Sequence, residues 1–565
     1  MNNEDIATTL RNISALMQIK GEDAFRARMY ERAADAIDDS VGELSELVSA
    51  NQLRSLPGIG KSMEAHIIEL FNTGSSQLYE ELVAETGEAV LDLLKIRGVG
   101  AKTAARLYQE LGIRDLRALR AAIDEGKLKT MPRMGGKTIA NINEGLRFVE
   151  SQQKLRPLWQ ILGVADELSE KFRESPHIHR FDFTGDFRRH EEVLESLALV
   201  VETDDTEALC ATLGQVSKVT APRKGGEQKV VAEIEEVFPL CVHLSSAEAY
   251  EATLLTTTCS SAHLATLNQA AVSKGLEPID LPPPRWTNGK AESALYSQLN
   301  LPFIVPELRN DSDAIEAALA GALPDLITRD ALRSDLHMHT NWSDGRNTVR
   351  EMAEAAKTLG HEYIAITDHS QASQVANGLT PERLLEQIQH VREINAQIEG
   401  IEILVGAEVD IRKDGRLDYE DDILAQLDIV VASVHQAFSL SESEMTARVI
   451  RAIENPFVTI IGHPTGRLLG RRPGYAINLD AIAEAASERR VALEINASLS
   501  RLDLGAPAVK EARQAGVLFS INTDAHATVQ LGQSGFGVDV ARRGWLGPEN
   551  VINTYTLAEL RQLKG

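Results

Sequence analysis

Across residues 333–565 the chain repeats one pattern: a short apolar run ends in side chains able to bind a metal. His337 and His339 close SDLHMHT, with Asp344 following in WSDG. His369 closes IAITDHS, Glu408 stands in LVGAEVD, His435 ends VVASVH and His463 ends TIIGHP. Asp524 and His526 end INTDAH. Each run has the length of a buried strand, and strand and helix alternate to the end of the chain, which is the signature of a parallel α/β barrel. In such a barrel the C-terminal strand ends share one rim, where active sites form. Histidine-x-histidine and Asp-Ala-His put both members on one strand face, because strand side chains alternate. A lone histidine at a strand end is ordinarily a hydrogen-bonded structural residue, but coincidence at so many strand ends is improbable. The pattern predicts a multinuclear site built from these nine residues. Imidazoles and carboxylates without thiolates suit zinc, manganese or iron, and the expected chemistry runs through a metal-bound hydroxide. Asp335 and Asp410 flank ligands and read either as partners orienting the imidazoles or as structural ion pairs. Glu494, Asn496 and Ser498 end a further run, RVALEINASLS, with no assigned role. His361 and His390 lie outside the pattern and read as surface histidines.

A chain of 565 residues is too long for one core, so several domains are expected. No apolar run approaches the ~20 residues of a membrane span. The N-terminal MNNEDIATTL is acidic and polar, unlike a secretory signal. Cys210, Cys241 and Cys259 show no CxxC spacing; they fit a reducing cytoplasm and none reads as a ligand. The net charge of -25 argues against indiscriminate polyanion binding. The charge is uneven, however: residues 101–150 carry a net +4 and residues 151–330 a net -12.

The first 150 residues place apolar side chains at helical spacing. Three breaks share one form: LPGIGKS at 56–62, IRGVGAKT at 96–103 and MPRMGGKT at 131–138. Their glycines permit tight turns, and a helix starting there offers backbone N–H groups to a phosphate oxygen. Lys61, Lys102 and Lys137 follow and add charge. The set Gly58, Gly60, Lys61, Gly98, Gly100, Lys102, Gly135 and Lys137 reads as helix-hairpin-helix modules gripping the DNA backbone without reading sequence. The alternative is a plain packing corner with glycine at the cap. Between 155 and 320, strand-like runs such as LALVVE, KVVAEI and PLCVHL mix with helices, and an acidic Ala/Leu-rich stretch leads into the barrel.

LPGIGKSMEAHIIEL, KIRGVGAKTAARLYQELGI, FRARMYERAADAI, TGDFRRHEE, ESALYSQLNLPFIVPELR and the barrel resemble the bacterial family X DNA polymerases that carry a C-terminal PHP (polymerase and histidinol phosphatase) domain. The resemblance implies all-α helix-hairpin-helix domains at 1–85 and 86–152, and a nucleotidyltransferase-like α/β palm at 153–244. It further implies a thumb at 245–318, a linker at 319–332 and a distorted (β/α)7 PHP barrel at 333–565. It also implies three divalent ions. His337, His339, Glu408 and Asp524 would hold one. Glu408 would bridge to a second on His435 and His463, and Asp344, His369 and His526 would hold the third.

The polymerase pattern itself fails. A palm needs three carboxylates around two divalent ions. In TGDFRR, Asp186 stands where the family has serine after Gly185; the Asp-x-Asp positions fall on Ser196 and Ala198, and the third aspartate near Cys241. Asp204 and Asp205 are adjacent and would point to opposite faces of a strand. The family's lyase lysine corresponds to His66, which cannot form an imine.

The reading that absorbs both ends of the chain is a metal-dependent 3′–5′ exonuclease or DNA 3′-end phosphoesterase acting in repair. Arg467, in HPTGRLLGRRPGY beside His463, is its expected phosphate contact, with Arg471 and Arg472 as weaker candidates. Three alternatives stay open: an active family X repair polymerase, a phosphatase of the histidinol-phosphatase type, and a noncatalytic DNA-repair scaffold.

Overall fold

A computed structural model describes residues 3–22, 24–38, 48, 52–56, 59–96, 99–132, 134–235, 237–438 and 440–563. The chain forms two compact units that meet in sequence at Lys154 and Leu155.

The first unit is helical, as its 3–4 apolar spacing requires. Its helices include Asn3–Lys20, Ala24–Asp38, Lys61–Thr73, Ala101–Leu111, Leu116–Asp124 and Gly136–Lys154. One apolar core runs from Ile6 to Leu146, through Leu16, Ile67, Leu107 and Leu119. The three glycine-containing breaks share one backbone hydrogen bond among their described residues. Ile59 N donates to Leu56 O, Val99 N to Ile96 O and Met134 N to Met131 O, at 3.3, 2.9 and 3.3 Å, and a helix follows each time.

The second unit begins with a five-stranded sheet of β1 (Ile178–Thr184), β2 (Leu197–Thr203), β3 (Val219–Gly226), β4 (Lys229–Ile234) and β5 (Phe238–Ser245). Its order is β1-β2-β5-β4-β3, and only β2 and β5 run parallel. Leu199, Val201, Leu240 and Val242 are fully buried in its core with Leu168 of the helix Leu158–Glu174. A second cluster around Leu255, Leu267, Leu295 and Tyr296 joins the helices that follow.

The C-terminal strands are β6 (Ser334–Asp335), β7 (Tyr363–Ile366), β8 (Glu402–Asp410), β9 (Ile429–Ser433), β10 (Ile460–Ile461), β11 (Ala492–Asn496) and β12 (Phe519–Asn522). They form one parallel sheet in chain order. A parallel bridge between Met338 and Ala525 joins its two ends. Asp524 N donates to His337 O at 2.9 Å and His339 N to Ala525 O at 2.8 Å, so the barrel closes at the His-x-His and Asp-Ala-His segments. Buried on both faces, these strands read as continuous apolar runs rather than alternating ones. Among the described residues, no helix is long and apolar enough to cross a membrane.

Candidate metal centre

The nine strand-end residues converge at the C-terminal mouth of this barrel. His337, His339, Glu408 and His463 form its floor, with side chains at most 2% exposed, whereas Asp344 and His526 keep a third of theirs open. Three groups bring ligand atoms within 4.8 Å of one another: His339, Asp344, His369 and His526; His337, His339 and Asp524; and His369, Glu408 and His435. His463 points Nε2 at Glu408 Oε1 from 3.0 Å. These groups overlap the implied division, but His339 and His369 each fall in two of them.

The donor set fits cations. His337 Nε2, His339 Nδ1, His369 Nδ1, His463 Nδ1 and Glu408 Oε2 are buried without a hydrogen-bond partner. Orphaned polar atoms at this density are costly unless something else satisfies them. His369 Nδ1 and Glu408 Oε2 lie 2.7 Å apart yet lack hydrogen-bond geometry. That is how two lone-pair donors look when both face a shared ion. The backbone is strained at two of the positions, with φ of 26° at His463 and 53° at Asp524.

Electrostatics agree. Burial opposes charge on His435, but Glu408 and Asp410 outweigh it and hold the imidazole up at about 10. Burial is likewise overcome at His526, held up at about 9 by Asp344 and Asp524. His339 is pushed down to about 4 by burial and by the two imidazoles stacked on it, His369 at 4.3 Å and His526 at 4.2 Å. Glu408 lies well below its usual range, because the surrounding imidazoles overcome its burial. A cation would compete with these protons for the same lone pairs.

Behind the cluster stands Glu494, a residue without a role in the sequence reading. Its Oε1 accepts from His337 Nδ1 at 2.7 Å and Asn522 Nδ2 at 2.9 Å. Its Oε2 accepts from His463 N at 2.7 Å and Asn496 Nδ2 at 3.1 Å. A carboxylate midway along an apolar strand was the available signal. Asp410 accepts from His435 Nδ1 at 3.2 Å, whereas Asp335 holds backbone: it accepts from His337 N and Thr523 N. Asp368 accepts from Thr340 and Ser343 and so ties down the loop bearing Asp344. His361 is no surface residue: it is 6% exposed, just past the helix Val349–Thr358, where its N donates to Ala356 O at 3.1 Å.

The expected phosphate contact at Arg467 needs correction. Its guanidinium is engaged by protein: Nε donates to Arg501 O at 3.0 Å, and Nη2 to Glu192 at 2.7 Å and to Leu502 O. Arg472 is similarly turned inward, onto Gly466 O and the Phe438 ring. The arginine at the cluster is Arg501, whose Nε lies 3.6 Å from Asp524 Oδ2 with the side chain 20% exposed. It sits in a loop past the strand end, where no periodicity singles it out.

In the five-stranded sheet, Ala198 of β2 and Cys241 of β5 are direct neighbours in register. The positions where a polymerase would place facing carboxylates therefore do face each other, without carboxylates. Asp204 is 77% exposed beside His179, and Asp205 caps the helix Thr206–Leu213.

In the helical unit, Gly60 and Gly100 occupy the N-cap positions of the helices Lys61–Thr73 and Ala101–Leu111, with Lys61 and Lys102 exposed. Their φ values, -93° and -84°, suit any residue. A Cβ at Gly60, Gly100 or Gly135 would meet nothing within 4 Å. Among the described residues nothing requires glycine there, which points to close approach from outside. Gly58 and Gly98 lie outside the described residues, as does the side chain of Lys137. His66 packs against Tyr30 and Glu69.

The barrel and its site define a metal-dependent phosphoesterase: a PHP domain model matches residues 335–498. A helix-hairpin-helix domain model matches residues 1–76, and a SAM-like helix-hairpin-helix tandem matches 90–147. The DNA polymerase/3′-5′ exonuclease PolX of Bacillus subtilis is 36% identical over 567 residues, covering 99% of each chain. A probable phosphatase of Thermoanaerobacter is 32% identical over 39% of this chain and 89% of its own. Another, from Clostridium novyi, is 28% identical over 41% of this chain and 93% of its own. The chain belongs to the PolX family.

Proposed function

We propose that this chain is a DNA 3′-end phosphoesterase, a 3′–5′ exonuclease of repair, in which the barrel is the catalytic centre and the palm is a noncatalytic scaffold. The observation that carries the reading is the contrast within one chain. The mouth holds a full set of imidazoles and carboxylates with orphaned buried donors, while Ala198 and Cys241 stand at the palm positions. The open glycine turns favour DNA over a small monoester as substrate.

His337, His339, Asp344, His369, Glu408, His435, His463, Asp524 and His526 would hold three divalent ions, manganese or zinc rather than iron. Such ions supply charge that neutralises a phosphoryl group and acidity that activates water. The protein's part is orientation. Glu494 accepts the Nδ1 proton of His337 and so directs Nε2 into the cluster. Arg501 lies at the edge of the site, where a guanidinium can grip phosphoryl oxygens. The half-open Asp344 and His526 leave the side by which a strand end enters. Gly60, Lys61, Gly100, Lys102, Gly135 and Lys137 would bind duplex backbone through N–H groups and charge. The absence of sequence-reading contacts in this scheme fits an enzyme acting on DNA ends rather than at particular sequences.

The test incubates the protein with Mn²⁺ and three substrates in parallel: a labelled duplex, a small phosphate monoester, and a primed template with nucleotides. Nucleotide release from the duplex, lost in His337→Ala and His435→Ala, is the expected result. Nuclease activity indifferent to both substitutions sinks the proposal. Turnover of the monoester alone transfers the assignment to a small-molecule phosphatase, and primer extension restores the polymerase reading.

A further inference from the structure

The palm segment that follows Gly185 is turned away from nucleotide chemistry. Arg188 pairs with Glu292 at 2.8 Å, and Arg189 is held by Asp186, Asn310 and Thr258 O. The segment continues to Glu192, a residue of the palm whose side chain is one-tenth exposed and lies against the barrel. Glu192 Oε2 accepts from Arg467 at 2.7 Å, and Oε1 accepts from Ala506 N at 2.8 Å. Arg543 stands 3.5 Å from the same carboxylate and pairs with Glu191 as well.

Arg467 carries the contact onward. The same guanidinium donates to the consecutive carbonyls of Arg501 and Leu502. Gly505 makes this possible, since a Cβ there would collide with the guanidinium. Leu502 has a φ of 43°, a conformation that a branched side chain keeps only when its surroundings hold it. Further clamps act on the same loop: Leu469 N donates to Ser500 O at 2.7 Å, and Thr465 donates to Asp503 through N and Oγ1 at 3.1 and 2.8 Å. At the end of this series Arg501 reaches to 3.6 Å from Asp524.

We infer that the palm is a positioning element of the barrel site: Glu192 fixes Arg467, Arg467 fixes the backbone at 501 and 502, and that backbone aims Arg501 at the phosphate of the substrate. This rests on the phosphoesterase reading of the barrel. It gives the palm a task that needs no carboxylate triad. Glu192 and Arg467 touch no substrate in this scheme and act only through Arg501.

The test is a double-mutant cycle on the full chain loaded with Mn²⁺, read by calorimetric binding of inorganic phosphate and by hydrolysis of bis(p-nitrophenyl) phosphate. Arg501→Ala should weaken phosphate binding on the order of 10- to 100-fold, the range for a charged hydrogen bond. Glu192→Gln and Arg467→Lys, which keep bulk and fold, should each weaken it by about 5- to 10-fold on the same basis. In the Arg501→Ala background either should add less than about twofold, because coupled residues are not additive. Mn²⁺ affinity should not weaken in any variant, since none removes a ligand and Arg501→Ala takes a positive charge away from Asp524. Equal losses with Arg501 present or absent would mean that Glu192 only packs, and would overturn the inference; so would a Glu192→Gln variant with wild-type affinity. A cycle that shows the coupling in phosphate binding, with a wild type that hydrolyses neither the diester nor DNA, supports the relay and overturns the phosphoesterase reading instead.

Discussion

Glu494→Gln is the most informative single change at the metal centre. The carboxylate accepts four hydrogen bonds, from His337 Nδ1, Asn522 Nδ2, His463 N and Asn496 Nδ2, and it is 0% exposed. A glutamine fills the same volume but offers one accepting oxygen, so two of the four donors must face an NH₂ group. Each buried donor left unpaired costs about 1–3 kcal/mol, giving a loss of about 2–6 kcal/mol in barrel stability. One side of the amide faces either His337 or His463 N, so at least one residue of the cluster loses its anchor. Removing such an orienting partner typically costs about 10–100-fold in metal affinity. Mn²⁺ titration followed by electron paramagnetic resonance reads the affinity, and denaturant unfolding reads the stability. Unchanged Mn²⁺ affinity in a folded Glu494→Gln protein would show that His337 and His463 are oriented by something else, and the argument from the carboxylate would fail.

Other outcomes follow from the same geometry. Gly60→Ala with Gly100→Ala should change stability by no more than about 1 kcal/mol, since lost chain entropy offsets a poorer N-cap. Duplex affinity in a fluorescence titration should nevertheless drop about tenfold, and an undiminished affinity would remove the hairpins from DNA binding. His263 is fully buried between Tyr296 and Asp311 O, and burial pushes its pKa down to about 4 from 6.5. Because the folded value is depressed, stability is whole above pH 6.5, falls as the pH drops toward 4, and loses about 3 kcal/mol in all. Unfolding measured across that window should show a slope that is shallower in His263→Gln than in wild type, since His339 keeps its own share. Primer extension should be undetectable with any divalent ion, since Ala198 and Cys241 offer no carboxylate; incorporation abolished by changing Asp204 or Asp205 would refute this.

The barrel was legible because its signal is redundant. Seven apolar runs each give a strand, and nearly every run ends in a ligand type, so the residues of the mouth could be named before any geometry. The roles of neighbouring residues were not legible, because they depend on direction in space. Arg467 is four residues from His463 in sequence, yet its guanidinium turns to Glu192, 275 positions earlier. Arg501 is in a loop without periodicity and reaches the cluster only because the chain folds back there. Glu494 carried a visible oddity, a charge inside an apolar strand, but only the structure shows that it serves two histidines together. His361 looked like a surface residue because isolated histidines usually are, and it is instead buried. In the helical unit, the shared form of the three glycine breaks was legible, and each carries the same backbone hydrogen bond.

The seam between the first and last barrel strands has a consequence for synthesis. His337 and His339 alternate along the chain with the Met338 that pairs with Ala525, and Asp524 and His526 flank that partner. The join that closes the cylinder is thus also the wall of the metal site. A ribosome has released the opening strand long before it adds residues 524–526, so every intermediate length lacks both the closing pairs and two of the donors. The nascent chain therefore carries its helix-hairpin-helix unit for most of its elongation without a functioning hydrolytic centre. Closure of the barrel and the assembly of the full donor set become one event.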